Sequence, residues 1–324
     1  MKRILSGMQP SGNPHLGNYF GAMKQHLDFS RKTGVECVYF IANYHALTSL
    51  RDGAALKQKT HELALDYLAL GLDPNKVTFI RQSGVPEVTE LAWIFDTITP
   101  MGLLERAHAW KDAVAKGRKG ETVGLFNYPV LMAADILIYK SDIVPVGQDQ
   151  KQHVEIARDI AGFFNNTYGE TFSMPEPFIK EEVATVPGTD GQKMSKSYGN
   201  VIEIFAPADE LKKQVFSVKT DSCGVADPKN PADCLLYKLL ALMLDENEKK
   251  ELAKKLLAGG VGYAQLKTQL FEKLLKYFGE AREKRLELLD KPDYVESVLE
   301  EGAKKARKIA QKTMEEVRQK TGLR

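Results

Sequence analysis

The sequence predicts an α/β domain built on a parallel sheet, followed by an all-helical region. Three observations predict it. Short β-branched and aromatic runs alternate with longer runs of helical period through residues 2–165. A glycine-rich stretch, Gly7 to Asn18 (GMQPSGNPHLGN), stands between the first apolar run and the first helical pattern. From about Pro207 onward the strand signals vanish and only helical patterns remain.

The elements follow in order. Ile4–Leu5 is the first apolar run, and helical spacing extends from about Leu16 to Phe29. Val38, Tyr39, Phe40 and Ile41 mark a strand within Cys37–Ala42, and Val77–Ile80 and Ile143–Val146 read the same way. Helical runs lie between them at Ala54–Leu70, Val88–Ile98, Leu125–Ile138 and Asp149–Phe164. In the last of these, Val154, Ala157, Ala161 and Phe164 share one face. Strands separated by helices need crossover connections, which give a parallel sheet. Such a sheet binds ligands beyond the carboxyl ends of its strands. The opening loop, the stretch after Ala42 and the stretch after Val146 are therefore expected at one edge. The fold class expected is α/β, with a Rossmann-like parallel sheet.

The second half changes character. Phe172–Gln192 contains Met-Pro-Glu-Pro and Pro-Gly-Thr-Asp-Gly and reads as a loop-rich connection. Ala208–Val218, Ala232–Leu244, Glu248–Leu257, Tyr263–Leu289 and Asp293–Lys320 read as helices. The expected division is a catalytic domain over residues 1–200 and a helical domain over 201–324.

Composition narrows the class. The 324 residues are 43% hydrophobic and 27% charged, as in soluble globular chains. A formal net charge of +2 excludes a polycation, so any nucleic-acid surface must be local. Cys37, Cys223 and Cys234 have no C-x-x-C spacing and read as reduced thiols of a cytoplasmic protein. Met1–Ser6 is basic but lacks the apolar run of a signal peptide. No run approaches the ~18 apolar residues of a membrane span. His26, His61 and His108 show no metal-ligand spacing.

Two loops carry candidate chemistry. Gly7–Asn18 is neither the dinucleotide fingerprint nor the lysine-bearing phosphate loop. It offers His15 and Asn18 at a helix entrance, either as donors to a phosphoryl group or as parts of a structural turn. Lys193-Met-Ser-Lys-Ser197, behind Gly188-Thr-Asp-Gly-Gln192, is either a solvated basic loop or a pair of ammonium groups for a pyrophosphate leaving group. On the helix, Tyr128, Met132 and Asp135 share one face, and Asp135 is the carboxylate within an apolar run. A buried carboxylate needs a partner: a salt bridge or helix cap, or a ligand N–H. His45 follows a strand at the same edge and is either a structural histidine or a substrate contact.

His15-Leu-Gly-Asn18 and Lys193-Met-Ser-Lys-Ser197 together resemble the two signatures of the class I aminoacyl-tRNA synthetases. Ser6–Gly12, Tyr128–Leu137 and Val144–His153 are similar to the bacterial tryptophan-specific members of that class over essentially the whole chain. Leu5 stands where some relatives carry an aromatic, and Ala113 where some carry a lysine. Lys111 remains beside it, and residues 116–119 (KGRK) read as a solvated loop.

The resemblance implies ATP-dependent activation of L-tryptophan and its transfer to tRNA(Trp). It implies catalytic roles for His15, Asn18, Lys193 and Lys196. It implies an ATP site of Gln9, Pro10, Ser11, Gly17, Asn18, Gly147, Gln148, Asp149, Val186, Lys193, Met194, Ser195, Lys196 and Ser197. It implies a tryptophan site of Asp135, Tyr128, Met132, Gln150, Val144, Val146 and His45, with Gln150 and Tyr128 taking the α-ammonium. Indole offers one donor and no acceptor, which suits a carboxylate. Mg2+ is expected to arrive mainly on ATP, with no protein metal site. The resemblance also implies a homodimer, a helical region that recognises the tRNA anticodon, and no membrane partner. Leu91–Ile98 suits a dimer interface or the core, and the cationic residues of Gly302–Arg324 suit either tRNA phosphates or a solvated helix face. A tyrosine-specific synthetase, a small-molecule nucleotidyltransferase and a non-catalytic RNA-binding paralogue are the alternatives.

Overall fold

A computed structural model describes residues 1–115, 122–179 and 186–324. The strands are β1 (Lys2–Met8), β2 (Val35–Ile41), β3 (Thr78–Arg81), β4 (Ile143–Pro145) and β5 (Glu176–Phe178). They form one parallel sheet in the order β3-β2-β1-β4-β5. Ile4 lies beside Cys37 on one side and Ile143 on the other. The chain walks outward from β1 to β3, then returns across β1 to β4 and β5. That reversal leaves a crevice at the carboxyl ends of β1 and β4, where open α/β sheets bind ligands.

The helices in the first part are α1 (Leu16–Asn18), α2 (Lys24–Ser30), α3 (Asn43–Ala46), α4 (Gly53–Ala69), α5 (Glu87–Asp96), α6 (Met101–Glu105), α7 (His108–Ala115), α8 (Val123–Ile138) and α9 (Lys151–Tyr168). A π-helical segment, Tyr19–Met23, joins α1 to α2. Asp52 caps α4 by accepting from the Ala54 and Ala55 N–H groups at 2.9 and 3.1 Å. Pro129 sits inside α8, where it has no N–H to give the ladder. The later helices are α10 (Ala208–Phe216), α11 (Leu235–Ala241), α12 (Glu246–Ala258), α13 (Tyr263–Tyr277), α14 (Gly279–Leu289) and α15 (Pro292–Thr321). The run expected from Tyr263 to Leu289 is broken at Phe278, and the strand β5 lies within the proline-containing stretch expected as loop.

Successive strand residues face opposite sides of the sheet. Leu5, Val38, Phe40 and Ile80 pack on one side with Phe95, Ile136, Val154 and Phe164. Ile4, Cys37, Tyr39, Ile41 and Phe79 pack on the other with Leu27, Leu63 and Leu68. Both faces are covered, which explains why the strands are continuously apolar rather than alternating. A third cluster joins the helices of residues 208–278, including Leu211, Leu240, Leu256 and Leu270. Leu16, Val186 and Met194 belong to it, so both signature loops are pinned to the helical region.

The last helix does not stay with that region. Ala306, Ala310, Met314 and Val317 of α15 join the first sheet-side cluster, and Val295, Val298 and Leu299 the second. Fully burying a Met or Val side chain contributes about 1.5–3 kcal/mol, so this face alone anchors the helix. Arg307 donates to Glu87 at 2.8 and 2.9 Å, and Arg318 pairs with Glu90. Both glutamates lie in the first turn of α5, where negative charge also suits the helix dipole. Lys304 pairs with Glu301 at 2.5 Å and Lys320 with Glu316 at 3.3 Å. Half of the helix's expected phosphate-binding cations are therefore held by carboxylates. The third cluster draws on the helices of residues 208–278, whereas α15 packs on the two sheet-side clusters. Within Leu91–Ile98, Leu91, Ile94 and Phe95 are core, while Trp93 is 70% exposed. Among the described residues, no helix is long and apolar enough to cross a membrane.

Candidate active site

The turn after β1 delivers His15 to a helix entrance. His15 is the N-cap residue, in extended conformation, and Asn18 is the third helical residue. The His15 Nδ1 accepts from the Asn18 N–H at 3.3 Å, and the Asn18 Oδ1 accepts from the His15 N–H at 3.2 Å. This is a reciprocal capping box made from an imidazole and an amide. Because Nδ1 accepts, the neutral ring carries its proton on Nε2. Burial, with the Lys196 charge added, pulls His15 down to about 4. The ring is therefore a neutral Nε2–H donor at physiological pH. A Cβ at Gly17 would come 2.9 Å from the ring's Cε1 and Nδ1, so the glycine makes room for the imidazole. Pro10 is buried, and Gln9 and Ser11 are exposed.

The second loop meets the first. Val186 accepts from the Met194 N–H at 3.0 Å, and Pro187 bridges Lys193, so the lysine segment is a hairpin. Met194 is buried in the helical cluster, whereas Lys193 and Ser197 are exposed and Ser195 is half-buried. The Lys196 Nζ donates to the Ser11 carbonyl at 3.2 Å. Burial lowers this ammonium from the ordinary lysine value, with the Glu203 carboxylate opposing. A lysine thus touches the turn that lacks one.

The third group lies beneath. Asp135 is only 2% exposed. Its carboxylate accepts from Gln82 Nε2 at 2.9 and 2.8 Å, and its Oδ2 lies 2.9 Å from His45 Nε2. Burial pushes the Asp135 carboxyl up, and the His45 and Gln82 hydrogen bonds oppose the shift. The His45 and Tyr128 rings meet edge to face at 6.0 Å, and the Tyr128 hydroxyl lies 2.6 Å from His153 Nε2. Met132 and Val146 are partly buried against the core cluster that contains Val144. Gly147 and Gln148 are exposed after β4, and Gln150 is half-buried at the start of α9. The side chain of Asp149 and residues 116–119 lie outside the described residues. Lys111 is exposed on α7.

The structure pairs His15 with Asn18 and Lys196 with Ser11 within the same turn region, and groups Asp135, His45 and Tyr128 together. Gln82 is the site residue that the motifs did not reveal. Its only signal was position: it follows β3 at the carboxyl edge of the sheet. Among the described residues, no cluster of three His, Cys, Asp or Glu side chains can hold a metal ion. An open groove of about 750 Å3 between α12 and α13 is lined by Asp245, Glu248, Glu251 and Glu272, and shares no residue with this site.

The family model described as tRNA synthetases class I (W and Y) matches residues 1–279. The tryptophan--tRNA ligase of Fusobacterium nucleatum is 56% identical over 324 residues, covering 100% of this chain and 98% of the relative. That of Campylobacter jejuni is 54% identical, covering 99% and 100%. The crystal structure of tryptophanyl-tRNA synthetase from Campylobacter jejuni, complexed with ADP and tryptophan, superposes with a TM-score of 0.92 at 54% identity and 99% coverage of both chains. A tyrosyl-tRNA synthetase from Archaeoglobus fulgidus, at 21% identity and a TM-score of 0.67, shares the fold. The chain belongs to the class I tRNA synthetases of the tryptophan and tyrosine family.

Proposed function

We propose that the chain is an aminoacyl-tRNA ligase that activates L-tryptophan with ATP and transfers it to tRNA(Trp). The observation that carries the reading is the buried Asp135 acceptor at the same sheet edge as two joined cationic and imidazole loops. Relatives at 54–56% identity are tryptophan ligases over the full chain, which favours tryptophan over tyrosine.

In the first step an oxygen of the tryptophan carboxylate attacks the α-phosphorus of ATP. The bond from that phosphorus to the bridging oxygen breaks, and pyrophosphate leaves with the electron pair. The carboxylate is already a nucleophile, so no side-chain base is required. Catalysis is positioning and charge stabilisation. The His15 Nε2–H and the Asn18 amide NH2 donate to the α-phosphoryl oxygens. Lys193 and Lys196 neutralise the leaving pyrophosphate, and Mg2+ is carried by the nucleotide phosphates. Gln9, Pro10, Ser11 and Gly17 line the phosphates and adenosine from the first turn. Val186, Met194, Ser195 and Ser197 do so from the lysine hairpin, and Gly147, Gln148 and Asp149 beside the ribose. In the second step a ribose hydroxyl at the tRNA end attacks the adenylate carbonyl, the bond from that carbon to the phosphate oxygen breaks, and AMP leaves with the electron pair while its phosphate takes up the hydroxyl proton.

Asp135 accepts the indole N–H, with Met132, Val144 and Val146 packing the ring. Gln150 and Tyr128 take the α-ammonium, and His45 supports Asp135. A site built to satisfy a ligand donor penalises an analogue without it by as much as about 10⁴-fold.

The helices of residues 208–278, which have a core of their own, are the unit we assign to tRNA anticodon recognition. Exposed Trp93, Met101 and Val123, on neighbouring helices α5, α6 and α8, support a homodimer. A cytoplasmic location fits the reduced cysteines. Charging of tRNA with tryptophan and tyrosine in parallel tests the reading: tryptophan alone should be esterified. Equal charging with tyrosine contradicts it.

A further inference from the structure

Asn200 lies just beyond the lysine signature and is only 2% exposed. Its side chain is turned back under the loop it follows, after Gly199 takes a left-handed φ of 64°. The Asn200 Oδ1 accepts from the Ser195 N–H at 2.8 Å. Its Nδ2 donates to Asp190 Oδ1 at 2.7 Å and to the Lys193 carbonyl at 3.2 Å. Its backbone carbonyl accepts from the Thr189 N–H at 2.9 Å. A Cβ at Gly188 would stand 2.3 Å from the Asn200 Nδ2, so the amide fills the space a side chain would need there. One buried amide therefore ties down both ends of the segment that presents the lysines. Its contacts bracket Lys193 and Met194, and Ser195 leads directly into Lys196.

We propose that Asn200 is a positioning residue for the lysine hairpin, setting where the Lys193 and Lys196 ammonium groups stand relative to the turn at Ser11. The inference rests on the reading above that this hairpin acts on ATP. The amide suits the task because it both donates and accepts, and the hairpin offers one carboxylate, one carbonyl and one N–H to it. The Asn200 amide also holds the Asp190 carboxyl below the ordinary carboxylate value. Without it, the glycine-containing segment from 188 to 192 has many conformations, and Lys196 reaches the phosphates in few of them. Misplacement by about 1 Å can cost on the order of 100-fold in rate.

The experiment is tryptophan-dependent ATP–pyrophosphate exchange with the full chain, comparing wild type, Asn200→Ala, Lys196→Ala and the double variant. Asn200→Ala should lower kcat on the order of 100-fold with the tryptophan KM unchanged. The double variant should fall well short of the product of the two single losses, since Asn200 acts in part through Lys196 and keeps only its effect on Lys193 once that lysine is gone. Full additivity, or wild-type exchange by Asn200→Ala, overturns the inference.

A polarity reversal guards against simple unfolding. Asn200→Asp places two carboxylates together and should abolish most activity. Adding Asp190→Asn restores the donor–acceptor contact between 190 and 200, though not the donor to the Lys193 carbonyl, and should recover at least about 5-fold of it. No recovery in a pair that melts like wild type also overturns the inference. A wild type without any exchange removes the functional reading and this inference with it, so the two failures are distinguishable.

Discussion

Gln82 Nε2 donates to both carboxylate oxygens of Asp135, at 2.9 Å to Oδ1 and 2.8 Å to Oδ2. The amide cannot turn freely, because Gln82 Oε1 accepts from the Tyr44 N–H at 3.0 Å and the His45 N–H at 3.4 Å. The carboxylate is thus oriented from behind by a fixed donor. Replacing Gln82 with Met keeps the volume and removes both roles. Leaving a buried acceptor short of a partner costs about 1–3 kcal/mol, or roughly 5- to 150-fold. The tryptophan KM of Gln82→Met should rise by that order while the ATP KM holds. Steady-state exchange kinetics measure both.

His15 should titrate far from its ordinary value. Its pKa is lowered from 6.5 to about 4, first by burial and then by Lys196. Between those values the unfolded chain binds a proton that the folded chain refuses. The His15 contribution to stability is therefore complete above pH 6.5 and is lost as pH falls toward 4. Nitrogen-15 NMR of the ligand-free protein at pH 6 should show a neutral ring protonated on Nε2. A midpoint near 6.5 contradicts this environment.

Lys196→Ala should slow adenylate formation on the order of 100- to 1,000-fold, the range for removing one preorganised donor from developing charge. Tryptophan affinity should not change, because the lysine contacts the Ser11 turn and not the Asp135 group. Single-turnover pyrophosphate release separates the two. Release at the wild-type rate removes the assigned role.

Helix α15 packs against bare strand backbone at Gly302. A Cβ there would come 1.9 Å from the Phe79 carbonyl oxygen. Gly302→Ala should lower stability by at least about 1–3 kcal/mol through overpacking. Gly21 meets nothing within 4 Å, so Gly21→Ala should be neutral or stabilising by up to about 1 kcal/mol. Urea midpoints of the two variants check the contrast.

These positions show what the sequence made legible. The two loops were readable because glycine, histidine and lysine stand at fixed spacings with a chemical reason for each. Asp135 was readable because a carboxylate in an apolar helix needs a partner. Gln82 carries no such conflict with its neighbours, and only the fold reveals that it faces Asp135. Strand β5 is three residues long and contains Pro177, so it lacks the run that marks a strand. The apolar stripe of α15 shows that a face is buried, but periodicity does not say against what. The helical pattern from Tyr263 to Leu289 likewise continues through Phe278 and Gly279, although the chain turns there.

Under the proposed function, Asp135 selects tryptophan for activation by the two joined loops. The most direct measurement is amino-acid-dependent ATP–pyrophosphate exchange with tryptophan, tyrosine and phenylalanine, on wild type and Asp135→Ala. Exchange should occur with tryptophan alone, and Asp135→Ala should lose kcat/KM on the order of 100-fold or more. Comparable exchange with tyrosine, or an Asp135→Ala variant as fast as wild type, would contradict it.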